Sequence, residues 1–218
     1  MKKGKLVKRI VWLSLLVVMV AIIGYYTVEV FVARANTQNI VDSYIGQIEV
    51  TLDQLSDRQI EILLAVEDPS FYEHKGVDFA TPGAGWTTIT QGLAKKFYFK
   101  DFQQGLMKIK QSLCALFALD TLVNKDTQLT LYINIMYYGN GIYGLQNAAE
   151  FYYGKTVSEL SEEEYISLIG SIVSPEELNV RDHPDDNAVR MNRIKKVLSG
   201  AYTPSSLFDI YYEDADEV

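Results

Sequence analysis

An uncharged apolar run from Ile10 to Val28, preceded by Lys2, Lys3, Lys5, Lys8 and Arg9, constrains the layout of this chain more than any other feature. Wound as a helix, a run of that length crosses the hydrocarbon layer of a bilayer. Basic residues on the amino-terminal side are the flank that stays in the cytoplasm, so the bulk of the chain is expected on the outer face, with Tyr25 and Tyr26 at the outer interface. A cleavable leader is the competing reading, because Ala33-Arg34-Ala35 has the small-x-small form. The run exceeds the usual leader core, however, and Glu29 interrupts the approach to that triplet, which favours an uncleaved anchor. The expected division is residues 1–33 as basic segment and anchor, 34–51 as juxtamembrane connector, 52–200 as one folded domain and 201–218 as a disordered acidic tail.

All 28 acidic residues but only 15 of the 20 basic ones follow the apolar run. Such an exported part repels nucleic acid, and any anionic ligand has to be met by a local basic patch. Cys114 is the sole cysteine, which excludes an intramolecular disulfide and a cysteine-based zinc cluster; set among Leu113, Ala115 and Leu116, it reads as a buried thiol.

Within the exported part the periodicity is helical and strand signals are scarce, one short strand in IGQIEVTL excepted. Ser56-x-x-Gln59 forms a capping box, and Ile60, Leu63, Leu64 and Glu67 then fall on one face, so a carboxylate continues an apolar stripe. Desolvation there raises its pKa toward the range of a general base at neutral pH. Pro69 stops the helix and leaves Glu67 at its end; the plainer reading is a terminal glutamate turned to water. Ala80 to Gly85 reads as a mobile loop. In TTITQGLAKKFYFKDF, Lys95, Lys96 and Lys100 alternate with Phe97, Tyr98, Phe99 and Phe102, which fits either a surface against anionic lipid or a helix with buried aromatics and solvated lysines. Leu106 to Val123 is helical, with Leu106, Ile109, Leu113 and Leu116 on one face and Met107, Gln111, Cys114 and Ala118 on the next, so Gln111 is expected partly buried beside Lys108. Further helices are expected at Thr127–Tyr138, Leu145–Tyr153, after the Ser161-x-x-Glu164 box, and at Pro184–Leu198.

Five stretches occur in order: VEDPSFYEHKGVD, GWTTITQGLAKK, KIKQSLCALFAL, LYINIMYYGNGIYGLQNAAEFYYGK and LIGSIVSPEELN. Together they resemble the family 51 peptidoglycan glycosyltransferases, the transglycosylase module of penicillin-binding proteins and its monofunctional relatives, from about Leu52 to Leu198. The resemblance implies an all-α, lysozyme-like fold with a small membrane-proximal lobe behind a transmembrane helix. It implies a monofunctional enzyme of the bacterial inner membrane, its domain on the extracytoplasmic side, polymerising lipid II into glycan strands with release of polyprenyl diphosphate. Glu67 matches the catalytic base, and Gln111 falls where the family has its second acid. Thr88, Thr90, Gln91, Lys95, Lys108 and Asn134 match substrate-binding positions. Asp68 and His74 match the first motif in a loop-holding role. The implied partners are lipid II, the nascent glycan strand, membrane lipids and cell-wall synthesis proteins. The implied cofactor is Mg or Mn carried on the substrate diphosphate, with no protein metal site and no organic cofactor.

The departures from the family pattern cluster around the donor's diphosphate: Gln111 for an acid, Met107 and Gln103 for arginines, Thr87 for a serine, Trp86 and Gly92 in place of a glycine and a glutamine, Gln128 for an acid, and a short loop from Val77 to Gly85. A lipid diphosphate leaves already ionised and needs charge neutralisation rather than a proton, so one carboxylate suffices where a glycosidase needs two. Glu67 and Lys95 therefore favour an active glycosyltransferase. Gln111, Gln103 and Met107 favour a degenerate relative that binds lipid-linked glycan or a synthase partner. A lytic transglycosylase or lysozyme fits poorly, because the basic segment would have no purpose in it.

Overall fold

The computed structural model describes residues 2–217, with side chains from Lys5 onward; the side chains of Lys2 and Lys3, counted above in the basic flank, and Val218 of the tail lie outside the described residues. Helix α1 (Lys2–Ile45) holds the apolar run, is long and apolar enough to cross a membrane, and is exposed along that run. It does not stop at residue 33. The expected connector is helical as far as Ile45, because the next glycine or proline after Gly24 is Gly46. Its second half is an integral strut: Ala33, Thr37 and Val41 are buried, Glu29 pairs with Lys110, and Thr37 Oγ1 lies 2.8 Å from the Tyr98 hydroxyl. The strand expected in IGQIEVTL does not form. The amides of Glu49 and Val50 instead donate to Asn134 Oδ1 at 2.9 and 3.0 Å, which satisfies them without a partner strand.

The domain is built from α2 (Asp57–Glu67), α3 (Ile89–Tyr98), α4 (Leu106–Cys114), a π-helical turn (Ala115–Leu119), α5 (Asp120–Leu122), α6 (Lys125–Ile135), α7 (Leu145–Tyr153), α8 (Glu162–Ser171) and α9 (Pro184–Leu198). The fold is mainly α-helical, and no strand occurs among the described residues beyond an isolated bridge between Tyr137 and Tyr143. Both expected capping boxes are present, Ser56 with Gln59 and Ser161 with Glu164. α2 packs on α8 and α8 on α9, around Leu63, Tyr138, Tyr165 and Ile194. Gly170 permits the last of these contacts, since a Cβ there would stand 2.8 Å from Ile194 Cδ1 and 3.2 Å from Arg190 Cγ. α3 lies between α4 and α6, and α1 seals the far side of α4, where Ala33, Cys114 and Ala118 form a separate small core.

Of the two stripes of α4, the one carrying Gln111 and Cys114, continued by Ala118 in the turn that follows, is buried, in keeping with the burial expected of Gln111, whereas Leu106 and Ile109 are exposed, 75% and 48%. The π turn after Cys114 adds a residue to the register and brings Ala115 and Leu119 onto the inner face, leaving Phe117 outside. The acidic tail is ordered, against the expectation of disorder. Arg193 on α9 meets Asp216 at 3.1 Å, Lys196 donates to the Ala215 carbonyl at 2.6 Å, and Tyr212 and Ala215 are buried, so the charges expected to keep this segment in solvent are drawn onto the basic last turns of α9.

Candidate active site

A cleft of about 750 Å³ runs between the end of α2 and the first turns of α3, and its walls include Glu67, Thr88, Lys95, Tyr132 and Arg190. Glu67 is the last residue of α2, which Asp68 closes before Pro69. Its carboxylate accepts a short hydrogen bond from the Tyr132 hydroxyl on α6. Burial pushes its pKa up to about 7; the Tyr132 hydrogen bond and the charge of Arg190 pull the other way, and Asp68 adds to the rise. Burial and the adjoining carboxylate hold the Tyr132 phenol well above its usual range, so it stays a donor. Glu67 is thus a carboxylate that protonates near neutrality and is fixed by one donor.

The stretch after Glu67 is tied down residue by residue. Asp68, fully buried, accepts from His74 Nε2 at 2.9 Å and from the Ile89 amide at 3.0 Å. The Gly76 amide donates to His74 Nδ1 at 3.0 Å, which leaves the ring proton on Nε2 for Asp68. Thr88 donates through Oγ1 to the Gly76 carbonyl at 2.8 Å and caps α3 in a reciprocal box with Gln91. The end of α2 and the beginning of α3 are therefore a single hydrogen-bonded unit, which sets Glu67 across from the lysines of α3.

On that opposite wall Lys95 is exposed and reaches over the Phe102 ring at 5.1 Å, and Lys96 stands over Tyr143 at 4.5 Å. Lys108 of α4 donates to Thr87 Oγ1 at 2.7 Å, which brings its charge to the rim. Burial and then the neighbouring charge of Lys95 pull the Lys108 ammonium down to about 8. Two cations that repel one another in an otherwise acidic protein form a place for a multiply charged anion.

Of the remaining expected site residues, Gln111, Gln91 and Thr90 lie behind the cleft wall, and Asn134 lines a neighbouring cavity. Gln111 is buried beneath α3 and donates to the Gln91 carbonyl at 2.6 Å, with Oε1 left without a partner; it does not line the cleft where a catalytic group would have to stand. Gln91 donates to Ser112 Oγ at 2.8 Å. Thr90 donates to Gln128 Oε1 at 2.7 Å, while Gln128 Nε2 donates to the Val123 carbonyl at 2.8 Å, a bond that an acid at 128 could not make. Asn134 is saturated: it accepts from Glu49 and Val50 and donates to the carbonyls of Val50 and Thr130, both at 2.7 Å. All four are held by hydrogen bonds within the scaffold, Asn134 from the wall of the neighbouring cavity.

Sequence reasoning missed Tyr132 and Arg190. Arg190 is 3% exposed, its Nε and Nη1 have no hydrogen-bond partner, and its guanidinium lies over the Tyr212 ring, 4.6 Å from the centroid. The signal was present, since Asn187, Arg190 and Ile194 fall at i, i+3 and i+7 on the buried face of α9, and an arginine in a core stripe marks a charge with a task. Among the described residues no three His, Cys, Asp or Glu side chains are grouped to hold a metal ion.

A family model described as Transglycosylase matches residues 35–199. Penicillin-binding protein 1A of Escherichia coli is 34% identical over 179 residues, covering 75% of this chain and 21% of the relative. Penicillin-binding protein 1F of Bacillus subtilis is 32% identical over 158 residues, covering 66% and 22%, and penicillin-binding protein 1A of Aquifex aeolicus is 33% identical over 181 residues, covering 76% and 24%. The chain spans about a fifth to a quarter of the length of these relatives.

Proposed function

The chain belongs to the transglycosylase family, and from that membership we propose that it is a membrane-anchored peptidoglycan glycosyltransferase that polymerises lipid II. The observation that carries the reading is the placement of Glu67: a carboxylate with its pKa pushed to about 7, facing across one cleft the lysines of α3. In the transfer, Glu67 takes the proton of the acceptor sugar hydroxyl as its oxygen attacks the donor's anomeric carbon. The bond from that carbon to the diphosphate oxygen breaks, and the electron pair leaves with the polyprenyl diphosphate. Lys95, with Lys108 at the rim, neutralises the departing charge, a service worth most in a site shielded from water. Mg or Mn bound through the diphosphate would supply further neutralisation of the same charge. A second cavity of about 700 Å³ shares Lys96, Ile135 and Tyr143 with the cleft, which extends the groove toward the length that a donor and an acceptor chain need.

In this reading α1 anchors the protein in the inner membrane with its basic end in the cytoplasm and the domain outside. The exposed Leu106, Ile109, Phe117 and Leu122, on the segment that flanks α1, then rest on the outer leaflet and present the cleft to a lipid-borne donor. The replacement of the second acid by Gln111 favours one other reading, a relative that binds lipid-linked glycan or a synthase partner without turnover. One experiment separates them. The purified full chain in detergent, given labelled lipid II with Mg or Mn, is expected to form glycan polymer, and Glu67→Gln is expected to form it about a thousandfold more slowly. Polymer at equal rates from both proteins would remove Glu67 as base; polymer from neither would leave the binding role.

A further inference from the structure

The segment Tyr202–Glu217 touches the cleft at three places that the reaction described above does not use. The amides of Gly83 and Gly85 donate to the carbonyls of Ser206 and Leu207 at 2.9 and 2.8 Å, so the loop over the cleft is hydrogen-bonded to this segment. Phe208 stacks on Trp86 with ring centroids 5.1 Å apart. Ile210 forms part of the cleft wall, and Gly85, at φ +67°, lets it approach: a Cβ there would stand 3.0 Å from Ile210 Cγ2. The next turn places Tyr212 in the left-handed region at φ +54°, a conformation that bulky residues rarely adopt unless their surroundings hold them in it. That turn delivers the Tyr212 ring, 1% exposed, against the Arg190 guanidinium.

Resting on the glycosyl-transfer reading, we propose that Tyr212 is a positioning residue for the reaction: its ring holds the Arg190 guanidinium, whose Nε and Nη1 have no other partner, toward Glu67, and segment 202–217 thereby completes the catalytic cleft. Among the described residues Nε and Nη1 of Arg190 have no hydrogen-bond partner, and the guanidinium rests on Tyr212. A desolvated guanidinium on an aromatic face gains from the ring quadrupole while keeping its positive field directed elsewhere. Here that field falls on Glu67, where it favours the ionised form. The charged and titratable groups facing Glu67 are Tyr132 from α6, Arg190 from α9, Asp68 beside it, Tyr138 after α6, Tyr212, and Lys95 and Lys96 of α3 across the cleft. The two lysines are exposed, whereas Arg190 is buried and its charge favours ionised Glu67, so displacing it changes the balance in one direction.

The test compares wild type, Tyr212→Met, which keeps bulk without a ring face, and Tyr212→Phe, which keeps the face. Two readouts are taken on the full chain in detergent: the rate of polymerisation of labelled lipid II against pH, and the titration of the Glu67 carboxyl by carbon NMR, assigned through Glu67→Gln. Tyr212→Met is expected to raise the Glu67 midpoint by about half a pH unit and to move the acidic limb of the rate profile with it, with a loss of about two- to threefold at neutral pH. Tyr212→Phe is expected to restore both. Asp216→Asn, a surface change that loosens the same segment from Arg193, is expected to shift both readouts in the same direction by less. An unmoved midpoint in Tyr212→Met and Asp216→Asn, or an equal loss in Tyr212→Phe, would overturn the proposal. If wild type makes no polymer, the glycosyl-transfer reading fails on its own, and the titration still decides whether Tyr212 acts on Glu67 through Arg190.

Discussion

The two walls of the cleft are built in different ways. On the α2 side every group is fixed: Glu67 by Tyr132, Asp68 by His74 and Ile89, and Arg190 by burial over Tyr212. On the α3 and α4 side the charges are borne by flexible lysines, exposed or near the rim, over a neutral buried layer of Gln91, Gln111 and Gln128. The proton-handling wall is thus preorganised, whereas the anion-handling wall offers charge without a fixed fork of donors. The departures from the family pattern lie in the second wall. The difference indicates which half of the chemistry tolerates change: a base must be aimed within hydrogen-bond reach of one hydroxyl, but a leaving diphosphate can be neutralised by cations in several arrangements.

Substitution at each wall can break or sharpen this contrast. Glu67→Gln has the largest expected effect, a loss of about a thousandfold in the polymerisation rate measured with labelled lipid II. The same variant should be the more stable protein at alkaline pH. The Glu67 pKa is raised on folding, so its contribution to stability is complete below its ordinary value near 4.5 and is lost as pH rises toward about 7. Thermal melts should therefore separate Glu67→Gln from wild type at pH 8.5, by at most about 3 kcal/mol, and bring them together at pH 4. Next in size, Lys95→Ala should lower the rate by about a hundredfold, while Lys95→Arg keeps most of it; a full loss in the arginine variant would show that the lysine wall is as exacting as the base wall. Tyr132→Phe removes the hydrogen bond that favours ionised Glu67, so its pKa should rise; the rate should fall several-fold at pH 7 and recover at pH 8.5. The smallest effect on rate is expected from Gln111→Glu. It brings no gain, because the side chain is sealed behind α3, and it costs about 2 kcal/mol in a melt, because an acceptor would then face the Gln91 carbonyl.

Much of the scaffold could be read from the sequence because its signals are local. The boxes at Ser56 and Ser161, the stop at Pro69 and the closing Gly154 each fix a helix boundary through residues a few positions apart, and Glu67 stood out because it continued an apolar stripe. What escaped depends on contacts distant along the chain. Asn134 resembled a binding residue, yet its amide meets Glu49 and Val50, 84 to 85 positions away. Arg190 and Tyr212 acquire their roles only when segment 202–217 folds back on α9 and the loop at Gly83, and no period or motif in an acidic tail announces that. The exposed stripe of α4 shows a different limit: hydrophobic periodicity identifies an apolar face without saying what covers it.

The most direct test of the central claim is the pH dependence of polymerisation by the full chain in detergent, measured at subsaturating labelled lipid II. An acidic limb with its midpoint near pH 7, absent from the residual activity of Glu67→Gln, is the expected result. A rate that stays level from pH 8 down to pH 5 would contradict it, because Glu67 would then be either ionised throughout or uninvolved.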